Sequence, residues 1–116
     1  VTSPFAATLA PLVRLRGVQG ALVVDERDGI VVDAVLQVGM RGDVISALAA
    51  SLFRRARLAA DAAGFGRTSF LELEAEGGRL CAAGTGELVV VAVVEGDANI
   101  GLVRMQVLRA AEGLAP

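Results

Sequence analysis

Residues Arg41–Gly64 read RGDVISALAASLFRRARLAADAAG, the longest run in the chain with helical spacing. At 3.6 residues per turn, Ile45, Leu48, Ala49, Leu52, Ala56, Ala59, Ala60 and Ala63 fall on one stripe. Val44, Ala47, Ser51, Leu58 and Ala62 form a second, about 120° round the helix. The polar arc is narrow: Asp43, Ser46, Arg54, Arg57 and Asp61, with Ala50 among them. A surface helix needs one buried face, and this one has two apolar faces. The spacing therefore predicts that one face packs on a sheet of this chain and the other on a second copy. The competing reading takes the extra alanines only as good helix formers. It would leave Val44 and Leu58 exposed, which favours a buried second face. Arg55 falls within the second stripe and is expected at the seam or its rim.

Working towards the N-terminus, Val18–Asp25 (VQGALVVD) and Ile30–Leu36 (IVVDAVL) are two apolar runs joined by Glu26-Arg27-Asp28-Gly29. Asp-Gly suits a tight hairpin turn. Both runs are too apolar for simple alternation, so both strands are expected deep in a sheet. Asp25, Glu26, Asp28 and Asp33 raise the question of a metal, but their spacing does not match a calcium loop, and a turn with solvated carboxylates is preferred. Before these strands, Ser3 as cap and Pro4 at the first position predict a helix over Pro4–Leu15, with Pro11 as a conflict inside it.

Towards the C-terminus, Gly64 is placed to cap the long helix. Arg67–Glu74 (RTSFLELE) turns Leu71 and Leu73 one way and Phe70, Glu72 and Glu74 the other. Glu76-Gly77-Gly78 makes a turn, Leu80–Ala83 a short strand, and Glu87–Val94 (ELVVVAVV) the most apolar strand, expected at the centre and buried on both faces. Asp97 or Asn99 caps a last helix with Ile100, Val103, Val107, Ala110, Ala111 and Leu114 on one face. The architecture is α+β: a five-stranded antiparallel sheet with helices packed on it, in the order α-β-β-α-β-β-β-α, and 1–116 is read as one domain.

Composition narrows the chemistry. The chain has no His, Lys, Trp or Tyr and a single Cys81. The commonest general base, triads built on His, the standard phosphate-loop Lys and Schiff-base chemistry are all missing. One cysteine makes neither an intrachain disulfide nor a Cys-rich zinc site, and Cys81 is read as a core residue. No catalytic, cofactor-binding or metal-binding residue is assigned. Val1–Leu58 holds seven Arg against five acids, and Ala59–Pro116 four Arg against eight acids. This is not a nucleic-acid-binding profile. No apolar stretch is long enough to span a bilayer, and Val1–Ala10 lacks the pattern of a signal peptide, so a cytoplasmic protein is expected.

The order of elements, together with Arg16-Gly17-Val18-Gln19-Gly20-Ala21-Leu22-Val23-Val24-Asp25, then Asp28-Gly29-Ile30-Val31-Val32, and later Asn99-Ile100-Gly101-Leu102-Val103-Arg104, resembles the Roadblock/dynein light-chain family. The resemblance runs from about Leu9 to Leu114. It implies a homo- or heterodimer in which the central helices pair and the third strands meet edge to edge, extending the sheet across the dimer. The interface residues would be Val44, Ala47, Ser51, Arg55, Leu58 and Ala62 on the helix, and Thr68, Phe70 and Glu72 on the strand. It also implies a partner, since bacterial members include a gliding-motility regulator whose dimer binds a Ras-like GTPase and stimulates GTP hydrolysis. Arg54, Arg57 and Asp61 are the polar candidates for that contact. Two other readings stand beside it: a pure scaffold with no effect on nucleotide turnover, and a small-molecule sensor or carboxylate enzyme with a pocket lined by Asp25, Asp33 or Glu87.

Overall fold

The computed structural model describes residues 4–114. The elements are α1 (Ala6–Val13), β1 (Val18–Asp25), β2 (Val31–Leu36), α2 (Gly42–Ala62), β3 (Leu71–Ala75), β4 (Gly78–Gly84), β5 (Leu88–Val94) and α3 (Ile100–Leu114). The strands form one antiparallel sheet in the order β2-β1-β5-β4-β3. The α+β order expected from the sequence is the order observed.

β5 lies at the centre, and the reason is its neighbours above and below. Successive strand side chains point to opposite faces. Ala21, Val23, Cys81, Ala83, Val90 and Ala92 meet α1 and α3 on one face. Leu22, Val24, Leu80, Ala82, Val89 and Val91 meet α2 on the other. With both faces covered, β1 and β5 can be apolar at nearly every position. β2 departs from expectation: it is an edge strand, and Val32 and Val35 remain well exposed. Apolar composition alone does not distinguish a central strand from an edge strand; only the pairing does.

The β1–β2 connection is built by its own side chains. The Asp25 carboxylate accepts the N–H groups of Arg27 and Asp28 at 2.9 and 3.2 Å. Gly29 takes φ +69°, and a Cβ there would sit 3.1 Å from the Ala47 Cα on α2. Turn geometry and close helix approach therefore both require glycine.

The helix ends follow local rules with one tertiary exception. α2 finishes in a Schellman arrangement: Phe65 N–H donates to Ala60 O, Gly64 N–H donates to Asp61 O, and Gly64 has φ +76°. Asp43 lies in the first turn of α2, where it favours the helix dipole, rather than at the cap position, which is Arg41. Asn99 caps α3 by accepting the Leu102 N–H at 3.1 Å. α1 begins at Ala6 instead of Pro4, and the expected Ser3 cap lies outside the described residues. Its start is anchored from β2, where the Asp33 carboxylate accepts the Phe5 N–H at 2.8 Å. Pro11 sits inside α1, and both it and Ala7, whose carbonyl it cannot bond, are exposed, so the missing bond falls on the solvent side.

Candidate functional site

α2 packs on the sheet through Ser46, Ala49, Ala50 and Phe53. This face is rotated by roughly a quarter turn from the first stripe read in the sequence. Of that stripe only Ala49 is fully buried, while Leu48, Ala59 and Ala63 are exposed. The middle of the polar arc, Ser46, Ala50, Arg54 and Arg57, faces the protein instead, while Asp43 and Asp61 at its ends stay exposed. Two features cause the rotation. Phe53, the largest fully buried side chain, occupies the centre of the contact and burying it is worth about 2–3 kcal/mol. The polar residues beside it find acceptors in the β1–β2 turn.

Those acceptors are specific. Ser46 Oγ donates to Gly29 O at 2.6 Å. Arg54 Nη1 donates to Glu26 O at 2.9 Å and to Arg27 O at 3.4 Å. Arg57 Nε and Nη2 both donate to Glu26 Oε1, at 3.0 and 2.6 Å. The Glu26 side chain is only 4% exposed, so it is not one of the solvated turn carboxylates the sequence suggested. A carboxylate enters a protein interior when a cation and hydrogen bonds compensate its lost hydration, and Arg57 supplies both.

These groups border a cleft of about 590 Å³ lined by Asp25, Glu26, Arg27, Asp28, Arg54, Arg57, Gly86 and Glu87. Of the three carboxylates considered for a pocket, Asp25 and Glu87 are brought together here. Asp33 is not among the lining residues; its carboxylate anchors the start of α1. Among the described residues no group of three or more acidic or cysteine side chains is arranged to hold a metal ion. Burial raises the Cys81 thiol from 9.0 to about 11, with the Glu72 charge adding to the effect and Arg79 opposing it. The thiol is accordingly neutral and enclosed.

The side of α2 away from the sheet is uncovered. Val44, Leu48 and Leu58 are 49%, 51% and 54% exposed, and Ala47, Arg55 and Ala62 are exposed beside them. Ser51 is half-buried. Large aliphatic side chains at this exposure on one helix face make a contiguous apolar surface rather than scattered surface residues. Leu48 belongs to this surface although the sequence reading set it on the inner stripe. Asp61 is exposed near the end of the same helix.

β3 is the second open feature, an edge strand paired only with β4. Glu72 is exposed and lies 3.8 Å from Arg79 Nε, and Glu74 pairs with Arg79 Nη2 at 3.0 Å. Phe70 turns inward against the α1 and α3 side of the core, with the Arg104 guanidinium 5.1 Å from its ring centroid. Thr68 is half-buried, and its hydroxyl has no hydrogen-bond partner among the described residues. The helix residues thus share one outer surface, whereas the strand expected from Arg67 begins only at Leu71, so that Glu72 lies on the edge strand and Thr68 and Phe70 precede it.

No helix among the described residues is long and apolar enough to cross a membrane. The sequence profile of the Roadblock/LC7 domain matches residues 5–95. An uncharacterized protein of Methanocaldococcus jannaschii is 30% identical over 104 residues, covering 90% of each chain. The Roadblock/LC7 domain from Streptomyces avermitilis has the same fold, with a TM-score of 0.83 at 17% identity over 93% of this chain and 92% of that one. Myxococcus xanthus MglB shares it too, with a TM-score of 0.81 at 18% identity over 98% of this chain and 89% of that one. With the profile spanning the first helix and all five strands, the chain belongs to the Roadblock/LC7 domain family.

Proposed function

We propose that this chain is a homodimeric, non-catalytic platform that binds a small Ras-like GTPase and stimulates its GTP hydrolysis in the cytoplasm. The observation that carries the proposal is the uncovered apolar face of α2, which a Roadblock chain uses most simply by pairing with a second copy. The fold likeness to MglB supports the direction of the reading. In it, Val44, Ala47, Ser51, Arg55, Leu58 and Ala62 meet their counterparts, and β3 with its Glu72 lies at the strand junction, with Thr68 and Phe70 in the segment just before it. Asp61 and the exposed portions of Arg54 and Arg57 are the polar residues offered to the GTPase.

One observation favours a second reading, a scaffold without effect on turnover. An arginine acting on a transferring phosphate must reach it freely, whereas Arg54 and Arg57 are bound to Glu26 and to turn carbonyls. Stimulation would then act through the partner's own loops. The deciding experiment mixes the protein with a GTP-loaded Ras-like GTPase from the same genome and records both complex formation and hydrolysis rate. Binding with faster hydrolysis supports the activating platform. Binding with unchanged hydrolysis selects the scaffold. An absence of binding to every such GTPase removes both.

A further inference from the structure

The cleft beside the β1–β2 turn holds one feature that the fold does not use. Glu26, whose side chain is only 4% exposed, accepts both Arg57 donors at Oε1. Its second oxygen, Oε2, is enclosed and has no hydrogen-bond partner among the described residues. A buried carboxylate oxygen left without a donor costs free energy, and Glu26 is one of the residues that line the cleft. Asp28 and Glu87 line it too, are exposed, and enter no ion pair among those described. In all, four carboxylates and three guanidiniums border the space. At Gly86 a Cβ would meet no atom within 4 Å, so the cleft opens beside the β4–β5 connection.

We propose that this cleft binds a guanidinium cation, which donates to Glu26 Oε2 and is held in addition by the charges of Asp28 and Glu87. The unmet atom is a carboxylate oxygen, so its partner is a donor, and a charged donor makes the stronger bond. A metal ion does not meet the need, because no three acidic or cysteine side chains among the described residues are arranged to hold one. Among organic cations, an ammonium is a compact, strongly hydrated charge. A guanidinium is more weakly hydrated and gives up less on entering an enclosed site. Its planar fork also reaches two acceptors at once. The arginines of the lining do not oppose it strongly. Arg57 is already paired with Glu26, Arg54 donates to turn carbonyls, and Arg27 is exposed, where water and salt screen its charge. With four carboxylates against three guanidiniums, one monovalent cation brings the lining to neutrality. The volume of about 590 Å³ exceeds what the cationic group itself fills and leaves room for the carbon chain that bears it. This binding requires neither a second copy nor a GTPase. It gives a ligand class to the pocket that the sequence suggested around Asp25 and Glu87.

The test is an isotope-edited NMR titration of the full chain with ethylguanidinium chloride, with sodium chloride and ethylammonium chloride at equal strength as controls. Saturable shifts are expected in the millimolar range at the amides of Arg27, Asp28, Gly86 and Glu87 and at the Arg57 Nε–H. Glu26→Gln is expected to weaken binding about tenfold, since it removes the charged acceptor. That change also disturbs the Arg57 contact, so Glu87→Gln is the second variant. Its side chain is exposed and stands outside that pair; the fold is kept, and binding is expected to weaken by a factor of about two to five. N-acetyl-arginine amide separates the sources of the cation. Binding tighter than that of ethylguanidinium assigns the cleft to an arginine presented by a partner chain, and equal or weaker binding assigns it to a free guanidinium compound. An absence of saturation with both compounds, saturable shifts confined to other surfaces, or affinities unchanged in both variants would overturn the proposal. Ethylammonium binding as tightly as ethylguanidinium would overturn the choice of cation.

Discussion

Arg57 holds Glu26 by placing Nε and Nη2 on the same carboxylate oxygen, at 3.0 and 2.6 Å, from one helix to a turn 31 residues away in sequence. The contact fixes the β1–β2 turn against α2, with Arg54 on the Glu26 carbonyl and Ser46 on the Gly29 carbonyl extending the same attachment. The polar row of α2 therefore serves the fold, which leaves the opposite face available for a partner.

Removing one member of this pair tests its structural role. Breaking a fully buried ion pair costs about 3–5 kcal/mol. The Arg57 side chain is 41% exposed, so solvent screening lowers the expectation for Arg57→Ala to about 2 kcal/mol. Urea denaturation would measure it. A change within about 0.5 kcal/mol would place Arg57 with ordinary surface pairs.

Phe53 marks the rotation of α2. Phe53→Ala should cost about 3–5 kcal/mol through lost burial and the cavity left behind. Leu48→Ala, at an exposed position, should alter the stability of the isolated protomer by less than about 1 kcal/mol. Equal losses in dilute protein would contradict the observed facing of the helix.

Cys81 makes an alkaline prediction of unusual clarity. Its folded value, about 11, is raised above the unfolded 9.0. The unfolded chain thus releases the thiol proton first, and stability present below pH 9 is lost as pH rises towards 11. Two units correspond to roughly 2–3 kcal/mol. The chain has neither Lys nor Tyr, so no other side chain ordinarily titrates in that window. Denaturation midpoints of wild type should fall between pH 8.5 and 11 by about that energy, and Cys81→Ala should flatten the profile. A wild-type profile already flat would show the thiol to be far less shielded.

The proposed GTPase contact is tested at Asp61. That residue is exposed on α2 and makes no side-chain hydrogen bond or ion pair among those described. Asp61→Arg should leave folding and self-association unchanged and weaken a Ras-like GTPase complex several-fold, read by titration calorimetry. Unaltered affinity would take Asp61 out of the interface.

Much of the fold was legible because its signals are local. The Asp25 turn, the Asn99 cap and the Gly64 ending each depend on residues within a few positions of one another. The apolar run of β5 was legible for a different reason: a strand apolar on both sides needs cover on both sides. The facing of α2 was harder. Its alanines dilute the periodicity, so several stripes compete, and Phe53 belonged to none of them. Taking the bulkiest residue as the centre of the buried face would have brought Ser46, Ala49 and Ala50 with it and turned Leu48 outward. Nothing local marks Glu26 as buried, since its cation lies on another element.

By itself, the sequence determined which segments are helices and strands, where most of them stop, that the sheet has a middle strand covered on both faces, and that His and Lys are missing from its chemistry. Those properties follow from spacing, turn residues and composition, which act over a few residues. Tertiary structure decided which face of α2 meets the sheet, that β2 lies at an edge, that α1 starts on the Asp33 carboxylate, and that Glu26 is enclosed. Each of these depends on partners distant along the chain, and the free energy separating the alternatives resides in contacts that exist only once the layers have packed.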